Sequence, residues 1–297
     1  MKTMVLLVNF GAAATLDDVP LFLRKLTGVI PPRAVEEALM ERYRAIGGGS
    51  PLPRIAQEQA DLLTGATGHR VPIKCAYRHA SPTLEEMINE CFRSGTEKII
   101  FFVMSPYYSS RTVGACMNAV GAYLSYFPVA SYGPEATFIH SWRKEPLFID
   151  AWAARIREAR PEEGFCLFSA HSLPRSHGDE TYTSQVEETV AAVAARLSLS
   201  DYAIGWQSVP PNTDEPWIGP PVEAVIDRIA PAASRLIEIP IGFVSDHLET
   251  LYDMDIVHAR YAASKGLAFS RVPSLNGYLP FIAALKSVLE RHLGKEQ

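Results

Sequence analysis

The chain has 297 residues, of which 47% are apolar and 21% charged, a composition typical of a globular protein with room for two domains. Its formal net charge of −5 argues against a nucleic-acid partner, which needs a basic face. The four scattered cysteines form no CxxC pair, so zinc-ribbon and iron–sulfur spacings are missing. No apolar run reaches the ~18 residues of a membrane span. We predict a cytoplasmic protein without a transmembrane segment, and peripheral membrane contact stays open.

Short apolar runs along the chain predict buried parallel strands. They are Val5–Val8, Lys98–Met104, Gly164–Ala170, Asp201–Trp206 and Arg235–Pro240, with Val71–Tyr77 weaker because a proline interrupts it. Helical patterns alternate with these runs at Thr83–Phe92, Asp179–Leu197, Pro221–Ile229 and Pro280–Leu293. Alternating strands and helices predict an α/β fold with parallel sheets.

Two α/β halves suit this length better than one very large sheet. Turn residues cluster around Gly133 and Pro134, so we place the break near this point. The prediction is an N-terminal domain over 1–130 and a C-terminal domain over 131–276, with a final helix over 277–297 that is able to pack on the N-terminal domain. Ligands of such sheets bind beyond the carboxyl ends of the strands.

The first candidate motif is a histidine at a strand end, His171 in the segment FSAHSLP. Histidine titrates near neutrality, so it suits proton transfer or metal ligation. A hydrogen-bonded histidine without a chemical role is the alternative. A serine hydrolase is disfavoured because no Gly-x-Ser-x-Gly elbow occurs here.

The second candidate motif follows the strand that ends at Pro240. Glu249 and Asp253 are four residues apart, so they share one face of the helix predicted after Ser245. Carboxylates suit ferrous and other divalent ions. A solvated acidic face near a helix start is the alternative.

Two further segments have a backbone suited to a binding site. Gly47–Gly49 precede Ser50, and they either end a helix or let backbone groups and Ser50 hold a carboxylate. Trp206 ends a strand and is expected in the core, whereas Trp217 lies between prolines and is expected to line a pocket.

Taken together, these segments resemble the ferrochelatase family. The matching stretches are VLLVNFG at 5–11, IGGGSPL at 46–52, SAHSLP at 169–174 followed by GDETY, QS and PWIGP at 207–220, and PIGFVSDHLETLYDMD at 240–255. The resemblance implies two Rossmann-like domains, each a four-stranded parallel sheet flanked by helices, with a porphyrin in the cleft between them. It also implies ferrous iron as a substrate and no organic cofactor.

The resemblance also implies roles for individual residues. His171 matches the catalytic base and Glu249 the active-site acid, both able to ligate the metal, and Asp253 continues the acidic path. A neutral His171 is expected to accept pyrrole protons. The positions expected to contact the porphyrin are Phe10, Arg42, Tyr43, Ser50, Arg78, His79, Tyr108 and Trp217.

The sequence departs from the family pattern in two places. Some members carry a further acid one turn after Asp253, where this chain has Val257 with His258 beside it. A C-terminal extension with cysteines is missing, so no iron–sulfur cluster is expected. A monomer and a weak dimer are both compatible with the sequence.

The main expectation is insertion of Fe²⁺ into protoporphyrin IX. Phe10 favours this ring, because some enzymes that use coproporphyrin III carry an iron-ligating tyrosine there. Coproporphyrin III, with four propionates instead of two, is the alternative. A cobalt or nickel tetrapyrrole chelatase and a non-catalytic two-lobed tetrapyrrole-binding protein also stay open.

Overall fold

The computed structural model describes residues 1–126, 133–177, 180–210 and 214–293. The strands are β1 (Thr3–Asn9), β2 (Ile73–Tyr77), β3 (Lys98–Val103), β4 (Glu135–Ile139), β5 (Phe165–His171), β6 (Tyr202–Gln207), β7 (Arg235–Ile239) and β8 (Ala268–Arg271). They form two four-stranded sheets with the orders β2-β1-β3-β4 and β6-β5-β7-β8. Every pairing in both sheets is parallel. The predicted α/β fold with two such sheets is confirmed.

Helices connect the strands. They are α1 (Val19–Thr27), α2 (Arg33–Ala45), α3 (Leu52–Ala66), α4 (Leu84–Arg93), α5 (Val113–Ser125), α6 (Pro146–Arg157), α7 (Glu180–Leu197), α8 (Val222–Ile229), α9 (Ala259–Ser264) and α10 (Leu279–Leu293). A π-helix covers Glu249–His258 and runs directly into α9, and short 3₁₀ turns cover Leu16–Asp18, Pro161–Glu163 and Arg175–His177.

The strands are apolar on both sides because helices cover both faces of each sheet. In β1, Val5 and Leu7 pack into the main core, while Leu6 and Val8 pack into a second cluster on the other face. The main core continues into the second sheet and includes Phe168 of β5. The two sheets therefore share one continuous apolar layer.

The last helix lies between the two halves of the chain. α10 packs against α6 and α3, and its apolar side, with Phe281, Leu285 and Leu289, is buried in the main core. Arg291 near its end donates to Glu145 just before α6, with 2.5 Å between Nη2 and Oε2. The assignment of this helix to the N-terminal domain stays a prediction, and residues 130 and 131 at the proposed boundary lie outside the described ranges.

Each of the six apolar runs corresponds to a strand, and each predicted helix is present to within about two residues at the ends that the structure describes. Residue 179, the expected start of α7, lies outside the described residues. β4 and β8 were not predicted. All four cysteines are buried and free. Within the described ranges, no helix is both long and apolar enough to cross a membrane.

Candidate active site

His171 lies at the carboxyl end of β5, opposite Gln207 of the neighbouring strand. Its Nδ1 lies 2.5 Å from the carbonyl oxygen of Ser172. A carbonyl only accepts hydrogen bonds, so Nδ1 carries a hydrogen and donates it. The other ring nitrogen, Nε2, faces Glu249 at 3.4 Å from Oε1. The backbone thus fixes the ring so that Nε2 is the atom available for chemistry.

Glu249 begins the π-helix and sits between two histidines. The second is His247, whose Nε2 lies 3.3 Å from Oε2 of Glu249 and whose Nδ1 lies 3.1 Å from the Ser245 carbonyl oxygen. His247 was not among the predicted site residues. The only signal in the sequence was that His247 lies two residues before Glu249. That spacing does not predict a contact, because residues two apart in a regular helix point away from each other.

The charges of His171 and Glu249 stabilise each other. Burial lowers the pKa of His171, but the Glu249 carboxylate outweighs burial and raises it to about 9. Burial raises the pKa of Glu249, but His171 and then His247 outweigh it and hold that pKa well below its usual range. At neutral pH the free protein therefore holds a protonated His171 beside an ionised Glu249, whereas a neutral ring was expected from the sequence.

Asp253 links the π-helix to α2 at the edge of the site. Its two carboxylate oxygens accept hydrogen bonds from Nη2 of Arg42 on α2, at 2.5 and 2.6 Å. The Arg42 guanidinium also lies over the Tyr252 ring, 4.7 Å from its centroid. Burial raises the pKa of Asp253 and Arg42 opposes the rise. Arg42 thus contacts the acidic helix, although it was expected on the porphyrin side.

The helix that carries both acids has a wider turn than expected. The sequence predicted an ordinary helix after Ser245, but Glu249–His258 is a π-helix, in which hydrogen bonds span five residues. At its end, the Ala259 N–H points to the Met254 carbonyl oxygen, five residues back. π-Helices are rare and occur frequently at functional sites.

Phe10 and the residues after β2 form one wall near the carboxyl end of the first sheet. The Phe10 side chain is 50% exposed, and its ring centroid lies 4.6 Å from that of His79. His79 Nδ1 lies 3.1 Å from the carbonyl oxygen of Lys25, and Arg78 donates to the carbonyl oxygen of Arg111 at 3.0 Å. An exposed aromatic ring on this wall can stack on a flat ligand.

Tyr43 and Ser50 lie behind the surface. Tyr43 is 1% exposed, and its hydroxyl oxygen accepts from the Ala13 N–H at 3.2 Å. Ser50 is also buried, and its N–H donates to the Ala13 carbonyl oxygen at 2.9 Å. In this state Tyr43 is a core side chain, because the aromatic ring fills the cluster around α1.

Gly47–Gly49 follow the end of α2, as one of the two interpretations of the sequence predicted. Gly47 and Gly48 have positive φ angles of 101° and 97°, and the Gly48 N–H donates to the Tyr43 carbonyl oxygen. A Cβ on Gly49 would lie 1.9 Å from the Ala14 carbonyl oxygen, so only glycine fits. The same segment, with Ser50, lines a cavity of about 520 Å³ that also touches Leu251 of the π-helix.

Tyr108 and Trp217 are half-buried. The Tyr108 N–H donates to Oε1 of Gln185 at 2.9 Å. Trp217 forms an isolated bridge with Pro174, three residues after His171. Its indole Nε1 is buried, and among the residues that the structure describes it has no hydrogen-bond partner. This places Trp217 on the loop beside the histidine.

The described part of the chain contains no group of three or more histidine, cysteine, aspartate or glutamate side chains arranged to hold a metal ion. Glu249 contacts both His171 and His247, but this arrangement offers fewer ligands than the four typical of a structural zinc site.

The fold, with two four-stranded parallel sheets flanked by helices, is similar to that of solved chelatases. SirB from Bacillus subtilis with Fe³⁺ superposes with a TM-score of 0.62, covering 99% of this chain and 98% of that chain. The sequence identity is 12%, so this likeness concerns the fold alone.

The sequence comparison identifies the family within this class. The family model described as Ferrochelatase matches residues 2–293, and the chain belongs to the ferrochelatase family. It is therefore a metal chelatase, a lyase of haem biosynthesis.

Curated relatives match over almost their whole length. Coproporphyrin III ferrochelatase from Anoxybacillus flavithermus is 32% identical, covering 99% of this chain and 98% of the relative. Coproporphyrin III ferrochelatase 2 from Bacillus cereus is also 32% identical, covering 98% and 95% respectively.

Proposed function

We propose that this protein inserts Fe²⁺ into coproporphyrin III, with His171 and Glu249 as the groups that exchange protons for metal. The observation that carries the chemistry is the 3.4 Å contact between Nε2 of His171 and the Glu249 carboxylate. The relatives named for coproporphyrin III support this ring over protoporphyrin IX, which the sequence had favoured.

Metallation replaces two pyrrole protons by one dication, so the porphyrin keeps its charge and two protons are released. In the free protein one proton already lies on His171. An iron ion arriving at Glu249 lowers the pKa of the nearby imidazolium, and His171 loses its proton. That proton passes to water. The neutral Nε2 first ligates the iron and then, as the ring nitrogens take the metal, accepts the two pyrrole protons in turn and passes each to water, while Nδ1 stays bonded to Ser172.

A site with few protein ligands suits a metal that must leave. Four porphyrin nitrogens compete for the iron, and a closed four-ligand protein site would hold it back. Asp253, one turn beyond Glu249, adds negative charge along the same helix, and we propose that it helps to bring the cation to Glu249. Its ion pair with Arg42 would keep it in place until the cation arrives.

We propose that the ring lies against Phe10 and His79, with Tyr108 and Trp217 on its other edges. Arg78 and Ser50 would take propionates, because arginine and hydroxyl donors bind carboxylates well. Arg42 and Tyr43 stay candidates for this side, but each needs to release its present partner, Asp253 or Ala13.

Protoporphyrin IX stays a second candidate because an exposed apolar stretch follows Lys25, whose carbonyl oxygen lies 3.1 Å from Nδ1 of His79, the ring that packs on Phe10. Leu26 in α1 and Val29 and Ile30 after it are exposed to 40%, 64% and 81%. Vinyl groups, which protoporphyrin IX has in place of two propionates, would suit such a stretch.

The test compares the two porphyrins at equal concentrations in anaerobic buffer with ferrous iron, by absorbance. The proposal expects a kcat/KM for coproporphyrin III at least about tenfold higher, a difference of about 1.4 kcal/mol in transition-state binding. A preference of that size for protoporphyrin IX would reverse the substrate assignment. Insertion of cobalt into another tetrapyrrole, with neither porphyrin metallated by iron, would favour a different chelatase.

We further propose that the protein works in the cytoplasm as a monomer or weak dimer, without an organic cofactor or an iron–sulfur cluster. The division into domains at 1–130 and 131–276 is part of the same proposal. Sedimentation of the purified protein over a range of concentrations tests the oligomeric state.

A further inference from the structure

A buried ion pair lies behind the acidic helix, outside the site described above. Glu238 is on β7, in the interior of the second sheet, and is 0% exposed. His258 is the last residue of the π-helix and is 3% exposed. Nδ1 of His258 lies 3.0 and 3.1 Å from the two carboxylate oxygens of Glu238.

The sheet face that carries Glu238 is otherwise apolar. Glu238 shares a sheet face with Leu236, two residues away on the strand, and this face packs into a cluster that includes Val222 and Ala262. Removing two charges from water is costly, and apolar residues in place of a buried ion pair are often as stable. Stability alone therefore does not account for the pair.

The wider turn of the π-helix brings His258 towards Asp253. In an α-helix, residues five apart would point about 140° away from each other. In a π-helix, hydrogen bonds join residues five apart, so they lie close to one face. Val257 stands where some family members carry a further acid, and its side chain is 37% exposed. The electrostatic interaction between His258 and Asp253 affects both groups.

We propose that Glu238 and His258 are a positioning pair, which fixes the end of the π-helix and holds a positive charge behind Asp253. Asp253 then lies between two cations, Arg42 from the first domain and His258 from the second. This inference rests on the proposed function of Asp253 in bringing iron to the site.

The pair has a direct electrostatic consequence. Burial lowers the pKa of His258, but Glu238 outweighs burial and raises it. The other charged groups that act on the ring are Glu223 of α8 and Asp253 itself, and both favour its protonated form. A protonated His258 in turn opposes the rise in the pKa of Asp253 that burial causes. With His258 protonated, Asp253 therefore stays ionised at a lower pH than it would without this neighbour. The ionised carboxylate is the form that attracts a divalent cation.

Two variants separate the charge of the pair from its packing. His258→Gln keeps an N–H donor for Glu238 but has no charge. The double variant Glu238→Leu with His258→Leu removes both charges and keeps apolar contacts. Asp227→Asn is the matched control, because it breaks the exposed pair between Asp227 of α8 and Lys265, at 2.6 Å, near the same helix.

In both test variants kcat/KM for Fe²⁺ is expected to fall about three- to tenfold, while the KM for the porphyrin stays unchanged. The acid limb of the pH profile should move up by about 0.5 to 1 pH unit, because Asp253 loses a nearby cation. Asp227→Asn should behave like the wild type. A folded His258→Gln protein with wild-type kinetics and pH profile would overturn the inference.

A second readout does not depend on turnover. The ring of His258 is titrated by NMR in the wild type and in Asp253→Asn, without iron or porphyrin. The inference expects the pKa of His258 to fall by about 0.5 or more in this variant, because a neighbouring negative charge is removed. An unchanged pKa would refute the coupling. A wild-type protein that metallates neither porphyrin, but shows this shift, would refute the proposed function alone.

Discussion

Replacing Glu249 by glutamine should return His171 to a neutral ring at physiological pH. Nε2 of His171 lies 3.4 Å from Oε1 of Glu249, where two unit charges attract by about 5 kcal/mol at a dielectric constant of about 20. About a third of each side chain is exposed, so screening reduces this to about 2 to 3 kcal/mol, or about 2 pKa units. The pKa of His171 should fall by this amount, from about 9 to about 7, so that the ring is mostly neutral above that pH.

The assay is an NMR titration of the histidine rings from pH 5 to 10, without metal or porphyrin. His171→Ala assigns the signal, and Asp227→Asn serves as a control whose exposed carboxylate pairs with Lys265, away from the ring. If the pKa of His171 is the same in Glu249→Gln and in the wild type, the two groups are not coupled. The proposed mechanism, which starts from a His171 held protonated by Glu249, is then wrong.

The same pair makes stability depend on pH. The pKa of His171 is higher in the folded than in the unfolded chain, so its contribution is complete below about 6.5 and disappears as pH rises through about 9. The pKa of Glu249 is lower in the folded than in the unfolded chain. Its contribution to stability is therefore complete above the usual pKa of a glutamate and is lost as the pH falls through the lowered pKa. The free energy of unfolding is measured in urea at pH 7 and at pH 10. It should fall less between these two pH values in Glu249→Gln than in the wild type.

Three further substitutions test other parts of the site. Arg42→Ala leaves the half-buried carboxylate of Asp253 without its partner and should lower the free energy of unfolding by about 1 to 2 kcal/mol, measured in urea; an unchanged value would show that the ion pair between α2 and the π-helix does not stabilise the fold. Gly49→Ala should destabilise the fold by about 2 to 3 kcal/mol, seen as a lower Tm, because its Cβ would lie 1.9 Å from a carbonyl oxygen. His247→Phe should raise the pKa of Glu249 and the KM for Fe²⁺ in steady-state assays, whereas an unaffected KM would remove His247 from the site.

Six strands could be predicted because burial makes them apolar runs. They include β2 and β6, which lie at sheet edges but are mostly buried. β4 and β8 lie at the other two edges and are mostly exposed or half-exposed, with the sequences EATFI and AFSR. An exposed edge strand needs few apolar residues, so composition does not distinguish it from a loop, and the context in the sheet decides these two elements.

His171 and Glu249 could be selected because each follows a strand-end motif, and the structure brings their side chains together. The π-helix could not be predicted, because its sequence also suits an α-helix and its wider turn depends on the contacts around it. For this reason the sequence pointed to Val257 as a gap in the acidic row and did not assign a role to His258. The burial of Tyr43 in the apolar cluster around α1 was not predicted either, and its contact with the porphyrin stays a prediction.

The most direct test of the central claim is anaerobic metallation of coproporphyrin III by the purified protein with ferrous iron, followed by absorbance. Wild-type protein should form the iron porphyrin in many turnovers, His171→Ala should form none above the uncatalysed rate, and both should show the same circular dichroism. Turnover of folded His171→Ala at the wild-type rate would contradict the account, because the proposed exchange of protons for iron takes place at Nε2 of this residue.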